Sequence, residues 1–371
     1  MRILLFLAAG SVIAIASCGG SNDALDGPGG AGAAGAAGST AGGAAGTSGA
    51  GGTAGSGVGG EPVDAGGAGG DGSYPDVPPN KTAEQACKTY VGAYCSQLDK
   101  CSPIYLQLLW KDAADCEARL VPVCVKALGL SDTAKTPEST AACGDAVAAL
   151  DCSSLLTRKI PAACTPPAGP RAQDAVCGED GQCATGYCAT PLDQACGTCK
   201  NRAADSQPCT RDDDCAYELT CAKNLVCTPF VAKAGECDDN HPCAPGLSCQ
   251  GVVGPKKGNC VDPAGPGQMC DTQQLAFPGC DLNAGYYCHL LSHVCEKMDL
   301  VHAGDDCGVV NNGFAVCTEA AMCELQGGTS GTCLAAAADG EACDQVDGPY
   351  CVPASRCVNH VCTAPDPASC N

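Results

Sequence analysis

Cysteine is the residue type with the most chemistry to offer in this chain. The 371 residues include 35 Cys but only four Phe and one Trp. So many cysteines beside so few large apolar residues are typical of a disulfide scaffold made in an oxidising compartment. There is too little apolar material to build conventional cores for a chain of this length. The composition therefore argues against a cytosolic enzyme.

One cysteine pair has the form of a redox centre. Cys196 and Cys199 are spaced as CxxC, the motif of thiol–disulfide oxidoreductases, in which a lowered thiolate pKa drives exchange. Catalysis by such a pair needs a thioredoxin-like strand and helix around it, and the surrounding cysteine-rich sequence predicts neither. We therefore predict that both cysteines form structural disulfides.

Two groups of residues are metal ligands by type. Two histidines and two cysteines fall within eight residues: Cys288, His289, His293 and Cys295. Ligands this close in sequence rarely surround one tetrahedral zinc ion, and exported cysteines are oxidised, so we predict no metal there. Asp212, Asp213, Asp214 and the acidic turn at 236–240 offer oxygen ligands for Ca²⁺. No twelve-residue loop with a closing Glu is present, so we interpret them as solvated turns and leave weak calcium binding open.

Other catalytic and cofactor motifs do not support an enzyme. The sequence has no HExxH, GxSxG or P-loop motif. Residues 30–35 match GxGxxG, but no predicted strand or helix flanks them, as dinucleotide binding requires. The net charge of −21 disfavours nucleic acid as a partner. We predict a non-enzymatic protein without a cofactor.

The first eighteen residues have the form of an export signal. Residues 3–16 are an apolar run of signal-peptide length, too short to span a bilayer. The run ends in Ile-Ala-Ser-Cys at residues 15–18, which resembles the lipobox of bacterial lipoproteins. The resemblance implies cleavage before Cys18 and acylation of its thiol and amino group, and two or more acyl chains anchor a protein stably. Gly19 follows in place of the Asp that retains such proteins at the inner membrane, which implies an outer-membrane lipoprotein exposed at the cell surface.

Composition divides the chain into four predicted parts: a signal peptide at 1–17, a lipid-anchored tether at 18–81, a helical module at 82–170 and a cysteine-rich array at 171–371. Residues 19–80 hold 23 Gly in 62 positions, so they cannot bury enough apolar surface to fold. As a Gly-rich coil this tether would reach about 45 Å. The 34 cysteines that remain without Cys18 are an even number, compatible with complete pairing.

The module at 82–170 is predicted to be a small helical bundle. Thr82 and Gln85 have capping-box form, and apolar residues follow with helical spacing. Asp112 can cap a helix that Gly129 ends, and Thr136 with Pro137 can open another. Eight cysteines from Cys87 to Cys164 predict four disulfides, and Trp110 is predicted to centre the core. The helix content and even cysteine count also resemble saposins, which handle lipid.

The array at 171–371 is predicted to contain six short repeats. Cysteines recur in sets of four. Spacing does not fix connectivity, and we predict first-to-third and second-to-fourth pairing, with these pairs named: Cys209–Cys221, Cys215–Cys227, Cys237–Cys249, Cys243–Cys260, Cys343–Cys357 and Cys351–Cys362. The opening repeat has one cysteine too many and Cys370 stands alone. We expect a longer first unit with pairing shifted by one along the array; the alternative is a bridge between the spare cysteines of the first and last units.

The segments at 209–215 and 243–249, CTRDDDC and CAPGLSC, resemble the Dickkopf N-terminal cysteine-rich motif, which implies extracellular protein binding. The predicted fold class is small disulfide-rich repeats with little regular secondary structure, preceded by a small all-α disulfide-linked bundle and a disordered Gly/Ala linker. The predicted function is a non-enzymatic surface lipoprotein, held to the bilayer through acylated Cys18, that binds an unknown extracellular protein or glycan. The alternatives are a protease-inhibitor-like surface protein and a purely structural envelope lipoprotein.

Overall fold

The structure, a computed structural model, describes residues 81–191, 193–254, 256–326 and 328–370. The predicted signal peptide, Cys18 and nearly all of the predicted tether lie outside the described residues. Within the described ranges, no helix has the length and apolar character needed to cross a membrane.

Residues 82–164 form a bundle that we call the helical hub. Its helices are α1 (Ala83–Cys101), α2 (Pro103–Leu109), α3 (Ala113–Leu128), α4 (Pro137–Ala148) and α5 (Cys152–Leu156). The Thr82 hydroxyl accepts from the Gln85 amide and the Gln85 side chain accepts from the Thr82 amide, which is the predicted capping box. Asp112 caps α3 and Thr136 caps α4, also as predicted. Side-chain caps therefore set where these helices begin.

The hub has a conventional apolar core, built where α1 packs against α3 and α4. Trp110, which the sequence predicted to lie in this core, is fully buried in it. Four disulfides join the elements around this core: Cys87–Cys124, Cys95–Cys116, Cys101–Cys152 and Cys143–Cys164. Apolar burial and covalent bridges both hold the hub.

The array contains six units, at residues 171–200, 203–229, 231–261, 264–297, 299–334 and 337–363. Their strands are β1 (Val176–Cys177), β2 (Cys188–Ala189), β3 (Gly197–Cys199), β4 (Leu219–Cys221), β5 (Cys227–Pro229), β6 (Glu236–Cys237), β7 (Ser248–Gln250), β8 (Gly258–Val261), β9 (Tyr286–Cys288), β10 (Cys295–Lys297), β11 (Asp299–Val301), β12 (Asp306–Val310), β13 (Gly313–Cys317), β14 (Met322–Leu325), β15 (Ser330–Leu334), β16 (Arg356–Val358) and β17 (Val361–Thr363). Unit 5 has the largest sheet, in the order β11-β13-β12-β15-β14.

All six units share one backbone frame. In every unit the third and fourth cysteines face each other across an antiparallel pair, as Cys221 faces Cys227. A residue of the lead-in segment pairs in parallel with the second cysteine, as Ala203 does with Cys215. The residue three positions before the first cysteine has a positive φ and donates its N–H to the carbonyl of the fourth: Asp174, Ser206, Ala234, Gly267, Gly304 and Gly340.

The cysteines of each unit pair first to third and second to fourth. The six pairs that the sequence analysis named are all present. The same order holds in the other three units: Cys177–Cys188, Cys183–Cys199, Cys270–Cys288, Cys280–Cys295, Cys307–Cys323 and Cys317–Cys333. The cores of the units are clusters of these cysteines with at most a few other apolar side chains.

The expected shift of pairing along the array is wrong. Cys196 is bonded to Cys370, 174 residues away, which is the alternative that the sequence left open. The chain therefore returns from unit 6 to unit 1, and the shared frame of unit 1 forms from its other four cysteines. Cys196 can form this seventeenth disulfide because the shared frame of unit 1 does not use it.

Candidate binding surface

Buried charges attach unit 1 to the hub. The Lys135 ammonium lies 2.7 Å from the carboxylate of Glu179, whose side chain is fully buried. The Thr133 hydroxyl donates to the same carboxylate. Because a buried charge deprived of its partner is strongly destabilising, these contacts fix how unit 1 sits on the hub.

A second ion pair ties the hub to unit 1 and to the end of the chain. The Arg171 Nε lies 2.6 Å from Asp132 Oδ2, and its Nη1 donates to the carbonyl of Cys370 at 2.6 Å. Partial burial works to raise the pKa of Asp132, but hydrogen bonds from Gln182 and Arg171 outweigh it and hold the pKa below its ordinary value. One guanidinium thus joins three segments.

Unit 2 is held by Arg158, which follows α5 and is almost completely buried. Its Nη1 donates to the carbonyls of Asp212 and, at 3.3 Å, of Leu219. Its Nη2 lies 3.6 Å from Asp213 Oδ1. The Arg158 guanidinium therefore contacts both the backbone and a carboxylate of unit 2.

Arg202 joins units 1 and 2. Its guanidinium carbon lies 4.0 Å and 4.6 Å from the ring centres of Tyr187 and Tyr217, within cation–π range of both. Its Nη2 lies 3.5 Å from Asp180. Burial raises the pKa of Asp180, and the charge of Arg202 opposes that rise. Burial also raises the pKa of Tyr187.

Unit 5 meets the hub at the C-terminal end of α2. The amides of Glu319 and Ala320 donate to the carbonyls of Gln107 and Leu108, at 2.9 and 2.7 Å. The last carbonyls of a helix have no partner within the helix, so unit 5 supplies the missing donors.

Units 4 and 6 also contact the hub through single polar contacts. The Ser102 hydroxyl donates to the side-chain oxygen of Asn283 in unit 4, at 3.3 Å. The indole N–H of Trp110 donates to the carbonyl of Pro353 in unit 6, at 3.3 Å. Five of the six units thus have a described polar contact to the hub, and the array is folded against it.

Each unit carries a hairpin between its third and fourth cysteines, and these hairpins hold much of the exposed apolar surface. The exposed large apolar side chains on them are Leu225, Val253, Leu290, Leu291, Leu325 and Val361. All six are aliphatic, and they occur in every unit from 2 to 6. The frame is constant while the hairpins differ in length and sequence, as in scaffolds whose loops bind ligands.

The hairpin of unit 4 has the most exposed apolar tip. Leu290 is 64% exposed and Leu291 is 79% exposed. The Nδ1 atom of His289 accepts from the amides of Leu291 and Ser292, at 3.3 and 3.1 Å, and its Nε2 lies 2.5 Å from the carbonyl oxygen of Asn312. Both ring nitrogens of His289 are thus engaged, one by the tip itself and one by unit 5. The tip is therefore held in one conformation, with two leucines facing solvent.

Unit 4 has further exposed apolar side chains before that tip in the sequence. Unit 4 also exposes Met269, Leu275, Phe277 and Leu282. Tyr287 of β9 packs against Phe314 of β13, with ring centres 5.6 Å apart, which joins units 4 and 5. No other unit exposes as many large apolar side chains within the described residues.

No cysteine of the described ranges has a free thiol to offer a metal or CxxC thiol chemistry. All 34 cysteines of the described ranges are in disulfides, so the close groups of three sulfurs within the units have no thiolate to offer a metal. Cys196 and Cys199 do not pair with each other, because Cys199 is bonded to Cys183. His289 has both ring nitrogens engaged, which leaves no zinc set beside Cys288 and Cys295.

The acidic turns use their carboxylates internally. Asp212 Oδ1 accepts from Thr220 and from the Cys221 amide, at 2.7 and 2.6 Å. Asp213 faces Arg158, and Asp214 accepts from the amide and hydroxyl of Thr210. In the turn at 236–240, the Asp238 carboxylate lies 2.7 Å from His241. Asp212, Asp214 and Asp238 thus have partners within their own units, and Asp213 has its partner in the hub.

No large cleft accompanies these features in the part of the chain that the structure describes. The crevice between unit 1 and the end of the chain has a volume of about 30 Å³, which is enough for little more than a water molecule. Substrate pockets are roughly ten times larger. The exposed hairpins are the better candidate for a functional surface.

Comparison with protein-family models, with curated proteins and with solved structures found no match to this chain. The chain is a cysteine-rich repeat protein with disulfide-bonded units, and that statement rests on its own structure. Sequence reasoning missed the hub contacts of Arg158, Lys135 and Arg171, because isolated basic residues ordinarily predict exposure. The sequence does contain a signal for the exposed tip, because Leu290 and Leu291 are adjacent leucines in a short loop between cysteines.

Proposed function

We propose that this protein is a non-enzymatic surface lipoprotein that binds an extracellular protein through the hairpins of its array. The observation that carries the proposal is the constant six-unit frame with variable hairpins that expose aliphatic side chains. A disulfide frame pre-organises its loops, so little conformational entropy is lost when they bind. Larger areas of exposed apolar surface mark interaction sites, and unit 4 exposes six large apolar side chains.

The exposed chemistry favours a protein partner over a glycan or a nucleic acid. Aliphatic side chains such as Leu290 and Leu291 gain free energy by filling apolar pockets, which protein surfaces supply. The net charge of −21 adds long-range attraction toward a basic partner. Unit 4 is the proposed centre of contact because it exposes the most apolar side chains.

The test is a binding screen with the full chain carrying Cys18→Ser, so that it is secreted without acylation. Arrays of extracellular proteins and of glycans would be probed with this chain and with the same chain carrying Leu290→Ser and Leu291→Ser. We expect the first chain to bind a protein saturably. The second chain should bind the same protein at least tenfold more weakly. Leu225→Ser in unit 2 is the matched control and should bind nearly as well. Binding that survives the unit 4 changes would contradict the proposal.

Attachment to the outer membrane is the second part of the proposal and rests on residues 15–18. Cys18→Ser should move the protein from the membrane fraction to the soluble or unprocessed fraction. Mass spectrometry of the wild-type N-terminus should show acyl groups on Cys18. Unchanged membrane attachment of the variant would contradict lipid anchoring while leaving the binding surface untouched.

A protease-inhibitor role is the second candidate, favoured by the rigid Leu290–Leu291 tip between Cys288 and Cys295. An inhibitor presents a rigid loop that fills the specificity pocket of its protease. Proteases with apolar specificity pockets should then be inhibited, with loss of inhibition in Leu290→Ser and Leu291→Ser. Cleavage of the tip without inhibition would exclude this role.

A further inference from the structure

One disulfide differs from the rest in what it joins. Of the seventeen disulfides among residues 81–370, sixteen close within the hub or within a single unit. Cys196–Cys370 alone joins two distant parts of the array, unit 1 and the segment after unit 6. We call it the ring-closing bridge. Breaking it leaves both bridges of every unit in place.

The ring-closing bridge holds a short segment, residues 364–370, which we call the tail. The tail ends in a 3₁₀ turn, Pro367–Ser369. Pro367 is buried against unit 1, where a Cβ added to Gly178 would lie 2.5 Å from the Cα of Pro367. The Cys370 carbonyl accepts from Arg171, whose Nε is paired with Asp132 of the hub. The tail therefore lies where the hub, unit 1 and unit 6 meet.

Units 1 and 6 also meet outside the ring-closing bridge. Arg356 Nη1 donates to the carbonyl of Gln194 at a long 3.5 Å. A small crevice separates the two units beneath the tail. The tail has no disulfide of its own other than the ring-closing bridge. The position of the tail therefore depends on the ring-closing bridge, whereas the fold of each unit depends on its own two bridges.

We propose that Cys196–Cys370 is a redox latch, which an external dithiol opens without unfolding any unit. Cys196 lies outside the core cluster of unit 1 and is partly exposed, whereas Cys370 is 1% exposed, so a thiolate approaches this bridge from the Cys196 side. Opening the latch frees the tail from unit 1 and uncovers the surface around Gly178. The within-unit bridges are different, because each of them is the core of its unit.

The exchange is a two-electron transfer in two steps. A thiolate of the dithiol attacks the Cys196 sulfur, the Cys196–Cys370 bond breaks, and Cys370 leaves as a thiolate that takes up a proton. The second thiol of the dithiol gives up its proton and attacks its partner sulfur in the mixed disulfide. Cys196 is released and protonated, and the dithiol becomes a cyclic or internal disulfide. The protein disulfide is reduced and the dithiol is oxidised.

The test is stepwise reduction of the full chain with dithiothreitol, followed by trapping with N-ethylmaleimide and peptide mapping. We expect Cys196 and Cys370 to be labelled together and at least tenfold faster than any pair within an array unit. First labelling of a within-unit pair, or simultaneous labelling of all cysteines, would overturn the proposal.

Hydrogen exchange supplies the conformational measurement. The Ser369 and Cys370 amides donate within the 3₁₀ turn, to Asp366 and Pro367. In the double variant Cys196→Ser with Cys370→Ser, these amides should exchange at least tenfold faster. Amides of the shared frame, such as that of Cys227 in unit 2, should keep their rates. Unchanged protection of the tail in the double variant would show that non-covalent contacts hold it, which excludes a latch.

Discussion

The hub and the array use disulfides in different ways. In the hub, bridges such as Cys95–Cys116 surround an apolar core that contains Trp110. In an array unit, such as unit 2, the core consists of the four cysteines with Ala203 and Leu219. The hub would bury apolar surface without its bridges. A repeat unit has almost nothing else to bury.

This difference predicts how each region responds to the loss of a disulfide. Chain-entropy arguments give similar stabilisation for the two kinds of bridge, because closed loops of 12 and 21 residues differ little. A bridge that also forms the core adds the free energy of its own burial and packing. The two regions therefore separate the covalent effect of a disulfide from its packing effect.

The largest expected effect comes from removing one bridge in each region. Cys215→Ser with Cys227→Ser should unfold unit 2, because it removes half of the core cluster as well as a bridge. Cys95→Ser with Cys116→Ser should cost the hub about 3 kcal/mol but leave its helices formed. Hydrogen exchange of the two variants checks this, with loss of all slow amides in unit 2 and retention of slow amides in α1.

A result in which both variants lose about the same stability, with unit 2 still protected, would contradict the view that the array bridges are its core. The wild-type chain with intact disulfides is the control for exchange rates. Unit 1, which contacts unit 2 through Arg202, should lose part of its protection in the first variant only.

The interface between the two regions gives the next largest effect. Arg158→Met removes a buried cation, which leaves Asp213 without its ion-pair partner and two carbonyls of unit 2 without their donor. Breaking such a buried pair costs about 3–5 kcal/mol, and here we expect the loss to appear as undocking of unit 2 from an intact hub. Limited proteolysis near residues 165–170 measures the undocking.

A double variant and a surface control sharpen that experiment. Arg158→Met with Asp213→Leu removes both charges and should recover part of the loss, because the unpaired carboxylate is gone. Lys223→Met breaks the exposed pair with Asp239, whose side chains are 68% and 70% exposed, and should change stability by less than about 0.5 kcal/mol. Equal effects of Arg158→Met and Lys223→Met would contradict a buried docking contact.

Acid should act oppositely on two carboxylates: Asp132, in the contact of the hub with unit 1, and Asp180, in the Arg202 contact between units 1 and 2. The folded-state pKa of Asp132 is lowered, so its contribution to stability is present above the unfolded pKa and is lost as pH falls. The pKa of Asp180 is raised by burial, so its contribution is greatest at low pH and declines as pH rises through the folded pKa. Unfolding temperatures between pH 3 and pH 6 measure both trends.

Amide variants isolate the two carboxylates. Asp132→Asn should flatten the loss of stability toward pH 3, by about 1 kcal/mol or less for a partly exposed pair. Asp180→Asn keeps an oxygen that can accept from the Cys188 amide and should make the acid loss steeper. If both variants shift the pH profile in the same direction, the assigned directions of the pKa shifts are wrong.

Local patterns were enough to predict the parts of the fold that local physics decides. Thr82, Asp112 and Thr136 fixed the helix starts because a capping side chain acts within three residues. The spacing of cysteines defined the repeats, and the predicted pairing recurs in every unit. Similarly, Pro245 and Gly246 occupy a turn closed by the Leu247 amide, and Gly246 has the positive φ that a type II turn needs.

The parts that sequence did not predict depend on contacts between distant segments. No pattern near Cys196 or Cys370 says that the chain returns to unit 1. Lys135 and Arg158 have the sequence setting of surface residues, and only the docked array buries them. The Leu290–Leu291 tip is local, but its rigidity depends on Asn312 of the next unit.

The smallest expected effect tests the shared frame at one backbone position. Ala234 in unit 3 and Gly340 in unit 6 occupy the same place and both have positive φ, at 69° and 84°. A Cβ at Gly340 would meet no atom within 4 Å, so only backbone strain distinguishes the two residues. Left-handed backbone costs a residue with a Cβ about 1 kcal/mol, partly offset by the lower entropy of its unfolded chain. Ala234→Gly should therefore stabilise unit 3, and Gly340→Ala should destabilise unit 6, by up to about 1 kcal/mol each. Opening free energies from hydrogen exchange at Cys260 and Cys362, whose amides close the same turn, would measure both changes, and destabilisation by both substitutions would show that the frame does not impose this conformation.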